Sequence, residues 1–265
     1  MQRPGVIPGD FEPLTIRQLI PTITVNSNAV DSLREASNTN NAAEVAEGSA
    51  KPESAVTFEQ YNVPIQTVAH WIKVSNQLLA DAPAVSAYID TRLRDGLAQR
   101  VEGQILNGDG TTPNLSGLLD AGNFTSFTPE TGANLVESIN KAKYALWATG
   151  NMPDTVIVNP ADWGAMELAR EGSGTGVYLY GAPGTNAGMS PFGVQVVLSN
   201  HMAAGSFLIG SLRASATIFQ REGAVVEMGF INDDFTKNLV TIRAEERLAL
   251  AVDRPSGIMS GNITV

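Results

Sequence analysis

The chain contains no cysteine, only two histidines and only five lysines among its 265 residues. Without cysteine it has no disulfide framework, no thiolate nucleophile and no cysteine-ligated zinc, so the redox character of its compartment is left open. Basic residues are outnumbered, with 17 Lys and Arg against 27 Asp and Glu and a net charge of -10. Gripping nucleic acid requires clustered Lys and Arg, and no such cluster occurs. An acidic balance is first of all a solubility device, and it also suits a container that must not adhere to enclosed DNA. No apolar run approaches the roughly 20 residues that span a bilayer. The opening "MQRPGVIPGD" lacks the basic head and apolar middle of a signal peptide, so a soluble chain is expected. What is present is ordinary globular material, 43% hydrophobic and 17% charged, enough for one large or two small domains without staples.

Four prolines, Pro4, Pro8, Pro13 and Pro21, forbid a long helix in residues 1–30 and predict an extended arm with one short turn near "LTIRQLI". "REASNTNNAAEVAEGSAKPES" has no sustained period, whereas "AVTFEQYNVPIQTVAHWIKV" alternates as a half-buried strand does. Together they predict a long protruding loop over 31–72 whose second arm returns to the body near Trp71. From Pro83 to Leu106, Val85, Ile89, Leu93, Leu97, Val101 and Ile105 recur every four residues, with "NGDG" as the stop, which predicts a spine helix of roughly 35 Å. Gly96 inside it implies close packing by a neighbour. Helices are expected over 134–149 and 160–170 around a strand "DTVIVN", and a glycine-rich loop over 171–188. Strands are then expected at "VQVVLS", "GSFLIGS", "ATIFQ", "AVVEMGF" and "LVTIRAEERLALAV". The fold class is α+β, with a second subdomain inserted between the spine helix and the closing strands.

Motifs for conventional chemistry are weak. "GSGTG" at 172–176 is neither opened by a strand nor followed by Lys-Ser/Thr, as a phosphate loop would be. "NGDGTTPNL" puts threonine and proline where a calcium loop needs oxygen ligands, so it reads as a helix stop and turn. His70 and His201 lie far apart without supporting cysteines, which argues against zinc, and His70 beside Trp71 reads as a packed strand residue. No nucleophile elbow of the G-x-S-x-G kind occurs. Glu245 and Glu246 are adjacent on a strand, so they face opposite ways and do not form a carboxylate pair. Neither a cofactor nor a metal is called for.

The series "LTIRQLI", "NNAAEVAEGSAKPESAVTFE", "TVAHWIKVSNQLLADAPAVSAYI", "EGQILNGDGT", "VNPADW" and "KNLVTIRAEERLALAVDRP" resembles the major capsid proteins of tailed double-stranded DNA phages, of the Johnson-fold type first seen in the lambdoid Hong Kong phage. The motifs run in that family's order from about residue 14 to residue 256. The resemblance implies an N-terminal arm (1–30), an E-loop (31–72), a peripheral domain on the spine helix (73–111 and 218–265) and an axial domain (112–217). It implies a structural, non-enzymatic protein found in the virion shell and assembled in the bacterial host cytoplasm. Its partners would be copies of itself in pentamers and hexamers, portal, scaffolding or protease and decoration proteins, and enclosed double-stranded DNA without sequence-specific contact; no membrane is involved. In relatives a scaffolding segment precedes the arm and is removed. "MQRPGVIPG" resembles a point already inside the mature arm, leaving a trimmed precursor, an unseen preceding segment or scaffolding from another protein as the readings.

In the Hong Kong type an E-loop lysine joins a neighbour's asparagine in an isopeptide bond, assisted by a glutamate. The resemblance puts Lys51 of "KPES" at the lysine, Asn238 of "KNLVTI" at the asparagine and Glu245 of "AEERLAL" at the catalytic glutamate. Lysine is protonated at neutral pH and needs a base before it can attack a carboxamide. Set among Leu239, Val240, Ile242 and Leu248, Glu245 is expected in apolar surroundings that suit a base. Its odd separation from Asn238 predicts that one chain does not assemble the site alone. The alternatives are a solvated Lys51, a strand-edge or turn Asn238 and a Glu245 paired with Arg243, Arg247 or a neighbour's arginine, as in capsids that never crosslink. An encapsulin-type nanocompartment and an α+β enzyme with a concave pocket are the rival classes.

Overall fold

The computed structural model describes residues 13, 15–81, 83–130, 134–170, 176 and 193–262. Nearly all of the expected glycine-rich loop at 171–188, with "GSGTG", lies outside them, as does most of the arm before Thr15. The arm then makes a 3-10 turn at Arg17–Leu19 and a strand β1 (Thr22–Thr24). Next come β2 (Ala29–Thr39), β3 (Ala55–Pro64), β4 (Gln66–Ser75), the short α1 (Asn76–Asp81) and the spine helix α2 (Pro83–Asn107). The middle of the chain forms β5 (Thr125–Phe127), α3 (Leu135–Ala148), β6 (Thr155–Val158), α4 (Pro160–Glu167), β7 (Gln195–Leu198) and β8 (Ser206–Gly210). A turn of helix α5 (Leu212–Ser215) leads into β9 (Ala216–Gly229), β10 (Leu239–Val252) and, after a 3-10 turn, β11 (Ile258–Asn262).

Two sheets share the core. The first runs β1-β9-β10-β4, with β10 antiparallel to both long neighbours. Period-two alternation gives it an inner face of Val74, Val240, Ile242 and Ala244, which packs on Leu93 and Leu97 of α2. One turn and more further along α2, Val101, Ile105 and Leu106 join Leu248, Leu250, Ile218 and Leu118. The spine helix therefore serves both halves of the molecule. The second sheet runs β5-β11-β8-β6-β7. Val156, Val158, Phe207 and Ile209 from it meet Ile139, Ala142 and Leu146 of α3 and Trp163 of α4. Both helices start where the sequence supplies a cap, since the Asn134 side chain accepts from the Glu137 N–H and that of Asn159 from Ala161.

Several sequence expectations change here. Residues 34–39, read as aperiodic, are strand: β2 and β3 form a separate two-stranded ribbon. Its outer part buries no face, so no apolar alternation could mark it. "ATIFQ" and "AVVEMGF" are one strand, because β10 pairs along all of β9 through an irregularity near Glu245–Leu248. Residues 258–262 hydrogen-bond between β5 and β8, so they sit with the middle of the chain and apart from the spine-helix sheet.

The arm, expected as an extended segment with one short turn, is held by its own subunit. Ile16, Leu19 and Ile20 are buried in this subunit's own core. Two buried carboxylates hold them there. Glu102 of α2 accepts from the backbone N–H of Thr15 at 2.6 Å and from that of Ile16. Glu246 of β10 receives a two-pronged Arg17 guanidinium at 2.6 and 3.2 Å, with Gln220 donating at 3.1 Å.

The close neighbour of Gly96 is His70. Its Nε2 lies 2.8 Å from the Leu93 carbonyl, and its Cε1 would stand 3.1 Å from a Cβ on Gly96. Two turns on, Gly103 faces His201 in the same manner, at 3.2 Å from Nδ1. Overpacking costs about 1–3 kcal/mol, against about 1 kcal/mol gained by removing a helix glycine. Gly96→Ala is expected to lower unfolding stability by roughly 1 kcal/mol in urea titrations. In a His70→Ala background the same substitution should become stabilising, and a loss of equal size there would show that His70 is not the obstacle.

Candidate functional site

Lys51 lies in the turn of the β2–β3 ribbon, between Thr39 and Ala55, and is exposed. Eleven residues of β2 at about 3.3 Å each place that turn about 35 Å from the ribbon's base. The base is anchored to the body: Asp253 accepts from Ser32 Oγ at 2.6 Å and from the Tyr61 hydroxyl at 3.0 Å. Burial, with the Asp253 carboxylate beside it, pushes the Tyr61 phenol up. Val63 and Ile65 pack on Ala249 and Ala251. Beyond the base, Ser37 bonds Thr57, and Asn41 bonds Ser54 and the Glu53 carbonyl, all within the ribbon. Leu33, Val56 and Phe58 along it are 66%, 47% and 69% exposed, an apolar stripe unusual for a projecting ribbon.

Asn238 precedes the first residue of β10. Its φ of 54° is left-handed, a region where asparagine is enriched among non-glycine residues. The residue is exposed, its carbonyl accepts from the Asn76 N–H at 2.9 Å, and among the described residues its carboxamide has no hydrogen-bond partner. Because it stands outside the strand, strand alternation does not set its direction relative to Glu245. Distance separates it from Glu245 instead: seven residues at about 3.4 Å is roughly 24 Å.

Glu245 does not sit in apolar surroundings. Val240, Ile242 and Ala244 point to α2, so alternation turns Arg243 and Glu245 to the open face of the sheet. There Glu245 is paired across to Ala69 and Val225, and Arg243 to Trp71 and Glu227. Arg243 bonds Glu227 at 2.7 Å and approaches Glu245 at 3.4 Å, leaving the Glu245 side chain 27% exposed. Glu246 faces the opposite way, as expected, and is the buried one.

The three residues named by the sequence are thus spread over one subunit, each accessible. Two groups beside them carry no sequence motif. Arg243 shares the face of Glu245, and Asp234, wholly buried in the β9–β10 turn, bonds Lys73 of β4 at 2.8 Å. The Lys73 hydrogen bond first of all holds the Asp234 carboxyl down to about 2. Only its place in an "NDD" turn hinted at Asp234. Among the described residues no cluster of metal-ligating side chains occurs, and no helix is long and apolar enough to cross a membrane. In the "NGDG" turn, Asp109 accepts from Asn114 and from the Thr111 N–H, which hold its carboxyl low and close the turn.

Comparison with known proteins gives a family from sequence and a fold from solved structures. Residues 2–263 match the phage capsid family. The major capsid protein of Enterobacteria phage HK97 is 38% identical over 266 residues, covering all of this chain and 69% of that protein. In solved structures the fold is that of the capsid of a native GTA particle, with a TM-score of 0.82 at 18% identity over 100% of this chain and 95% of that one. It is also that of the Mycobacterium phage Bobi chain, at 0.76 and 17% identity over 100% and 95%. A virus-like particle from Pyrococcus furiosus follows at 0.63 and 13% identity over 94% and 92%. With its whole length matched at this identity, the chain belongs to the phage capsid family, as a shell-forming major capsid protein of the HK97 type.

Proposed function

We propose that this chain assembles as pentamers and hexamers into an icosahedral head enclosing double-stranded DNA, and that isopeptide bonds between Lys51 and Asn238 of different subunits lock the shell. One observation carries the crosslinking reading. Lys51, Asn238 and Glu245 are all accessible, yet Asn238 and Glu245 are about 24 Å apart and Lys51 is on a ribbon about 35 Å long, so a complete site requires neighbours. The exposed Leu33, Val56 and Phe58 give the ribbon an apolar stripe to bury on another subunit. The peripheral domain would comprise α2 with the sheet of β4, β9 and β10, and the axial domain α3, α4 and the second sheet. Portal, scaffolding or protease and decoration components would complete the head.

In the proposed reaction Glu245 takes a proton from the Lys51 ammonium. The freed amine attacks the Asn238 Cγ, forming the new C–N bond. The carboxamide nitrogen takes that proton from the Glu245 carboxyl and leaves as ammonia, and the remaining extra proton on the attacking nitrogen passes to the departing ammonia, so that ammonium is released and Glu245 is ionised again. The pairing of Arg243 with Glu245 favours a second reading, an uncrosslinked shell in which these residues make only ordinary contacts. Boiled particles on a denaturing gel distinguish the two. Material too large to enter, with a Lys51–Asn238 peptide lighter by one ammonia, is expected; a single band near 28 kDa would leave the shell and remove the crosslink.

A further inference from the structure

The turn that presents Asn238 is held without a hydrophobic core. Phe230 and Phe235 touch edge to face at 6.0 Å but are 57% and 77% exposed. What closes the turn is Asp234. One carboxylate oxygen accepts from Lys73 Nζ at 2.8 Å; the other accepts from Thr241 Oγ1 at 2.7 Å and the Ile231 N–H at 3.0 Å. Its side chain thus ties β4, the turn and β10 together. Its backbone carbonyl does more, accepting from the N–H groups of both Lys237 and Leu239, at 3.2 and 2.9 Å, the two neighbours of Asn238.

We infer that Asp234 is a positioning residue for Asn238, fixing the main chain on both sides of it so that its carboxamide is offered in one orientation to the Lys51 of a neighbouring subunit. This rests on the crosslinking reading of Asn238. The physical need is twofold. A left-handed non-glycine residue persists only where its surroundings over-determine it. A nucleophile delivered by another subunit also requires an electrophile already in near-attack geometry, since a misplacement of about 1 Å can slow reaction about 100-fold. The hold on Leu239 has a second effect. The Leu239 amide nitrogen is the group that would otherwise attack the Asn238 Cγ within the chain, forming a cyclic imide and also releasing ammonia. With that N–H donated to Asp234, the electrophile is kept for the lysine.

Assembled particles of the wild type and of Asp234→Asn, Lys73→Met and Thr241→Val provide the test, with crosslinking followed on boiled gels. Hydrogen exchange at Leu239 and ammonia loss at Asn238 within the uncrosslinked peptide are measured in parallel. Asp234→Asn is expected to crosslink about 100-fold more slowly. The pH dependence should keep its shape because Glu245 is untouched, while Leu239 exchange and internal loss at Asn238 rise. Thr241→Val removes one hydrogen bond, should slow crosslinking about tenfold by the same reasoning, and decides the matter if Asp234→Asn does not assemble. Crosslinking at the wild-type rate with unchanged Leu239 exchange in these variants would overturn the inference. If wild-type shells do not crosslink, the crosslinking reading fails. The hold on Asn238 then stands or falls on the exchange and ammonia-loss measurements alone, unchanged values in the variants overturning it.

Discussion

Particles carrying Glu245→Gln are expected to assemble as the wild type does and to stay uncrosslinked, with a rate lowered by about 10²–10⁴-fold, the usual worth of a positioned general base. Glutamine keeps the size of the side chain and one oxygen toward Arg243, but it cannot accept the lysine proton. The side chain is 27% exposed on an open sheet face, so the exchange of an ion pair for a neutral contact costs at most about 1 kcal/mol. Lost assembly is therefore not an available explanation for lost crosslinking. Time courses of boiled particles, beside sedimentation of the intact shells, make the measurement. Crosslinking of Glu245→Gln at the wild-type rate would place the base elsewhere.

A second large effect is expected inside the subunit. Glu102 is 3% exposed and receives two backbone N–H groups of the arm, from Thr15 and Ile16. Glu102→Ala strips both of their acceptor, at about 1–3 kcal/mol per buried unsatisfied group, so a loss of roughly 3–5 kcal/mol follows. That is a large share of the 5–15 kcal/mol typical of a domain. Glu102→Gln retains a carbonyl oxygen for the same donors and exchanges charge-assisted bonds for neutral ones, at about 1 kcal/mol. Freed from Glu102, Ile16, Leu19 and Ile20 would leave the core, and Arg17 would part from Glu246. Calorimetry should rank wild type, Gln and Ala in that order, and trypsin should cut after Arg17 in the alanine variant under native conditions. An alanine variant that melts with the wild type and resists trypsin would remove Glu102 as the arm's anchor.

Legibility in the sequence followed burial. The spine helix was readable from Leu93, Leu97, Val101 and Ile105 because one stripe of α2 is buried along most of its length. Helices α3 and α4 were readable because apolar periods begin at capping asparagines. The outer ribbon was not, since both of its faces meet solvent and nothing selects an alternation. Nor was β11, whose "IMSGN" is too short to carry a period and gains its place only from β5 and β8 on either side.

For the site the same division holds. Residue type and motif order were enough to single out Lys51, Asn238 and Glu245 and to set Glu245 and Glu246 on opposite faces, because a strand's alternation is a local property. Which face is buried is not local. Arg17, 229 residues away in sequence, makes Glu246 the enclosed carboxylate, while Arg243 and Glu227 keep Glu245 on the open side. The left-handed turn at Asn238 likewise depends on Lys73 reaching Asp234 across 161 positions. By itself the sequence determined helices α2, α3 and α4, strands β4, β6, β7, β8 and β10, the family and the candidate residue types, all products of short-range pattern. Only the tertiary structure decided which charges are enclosed, how the arm is held and how far apart the three residues stand, because those depend on long-range pairing of groups that no local period records.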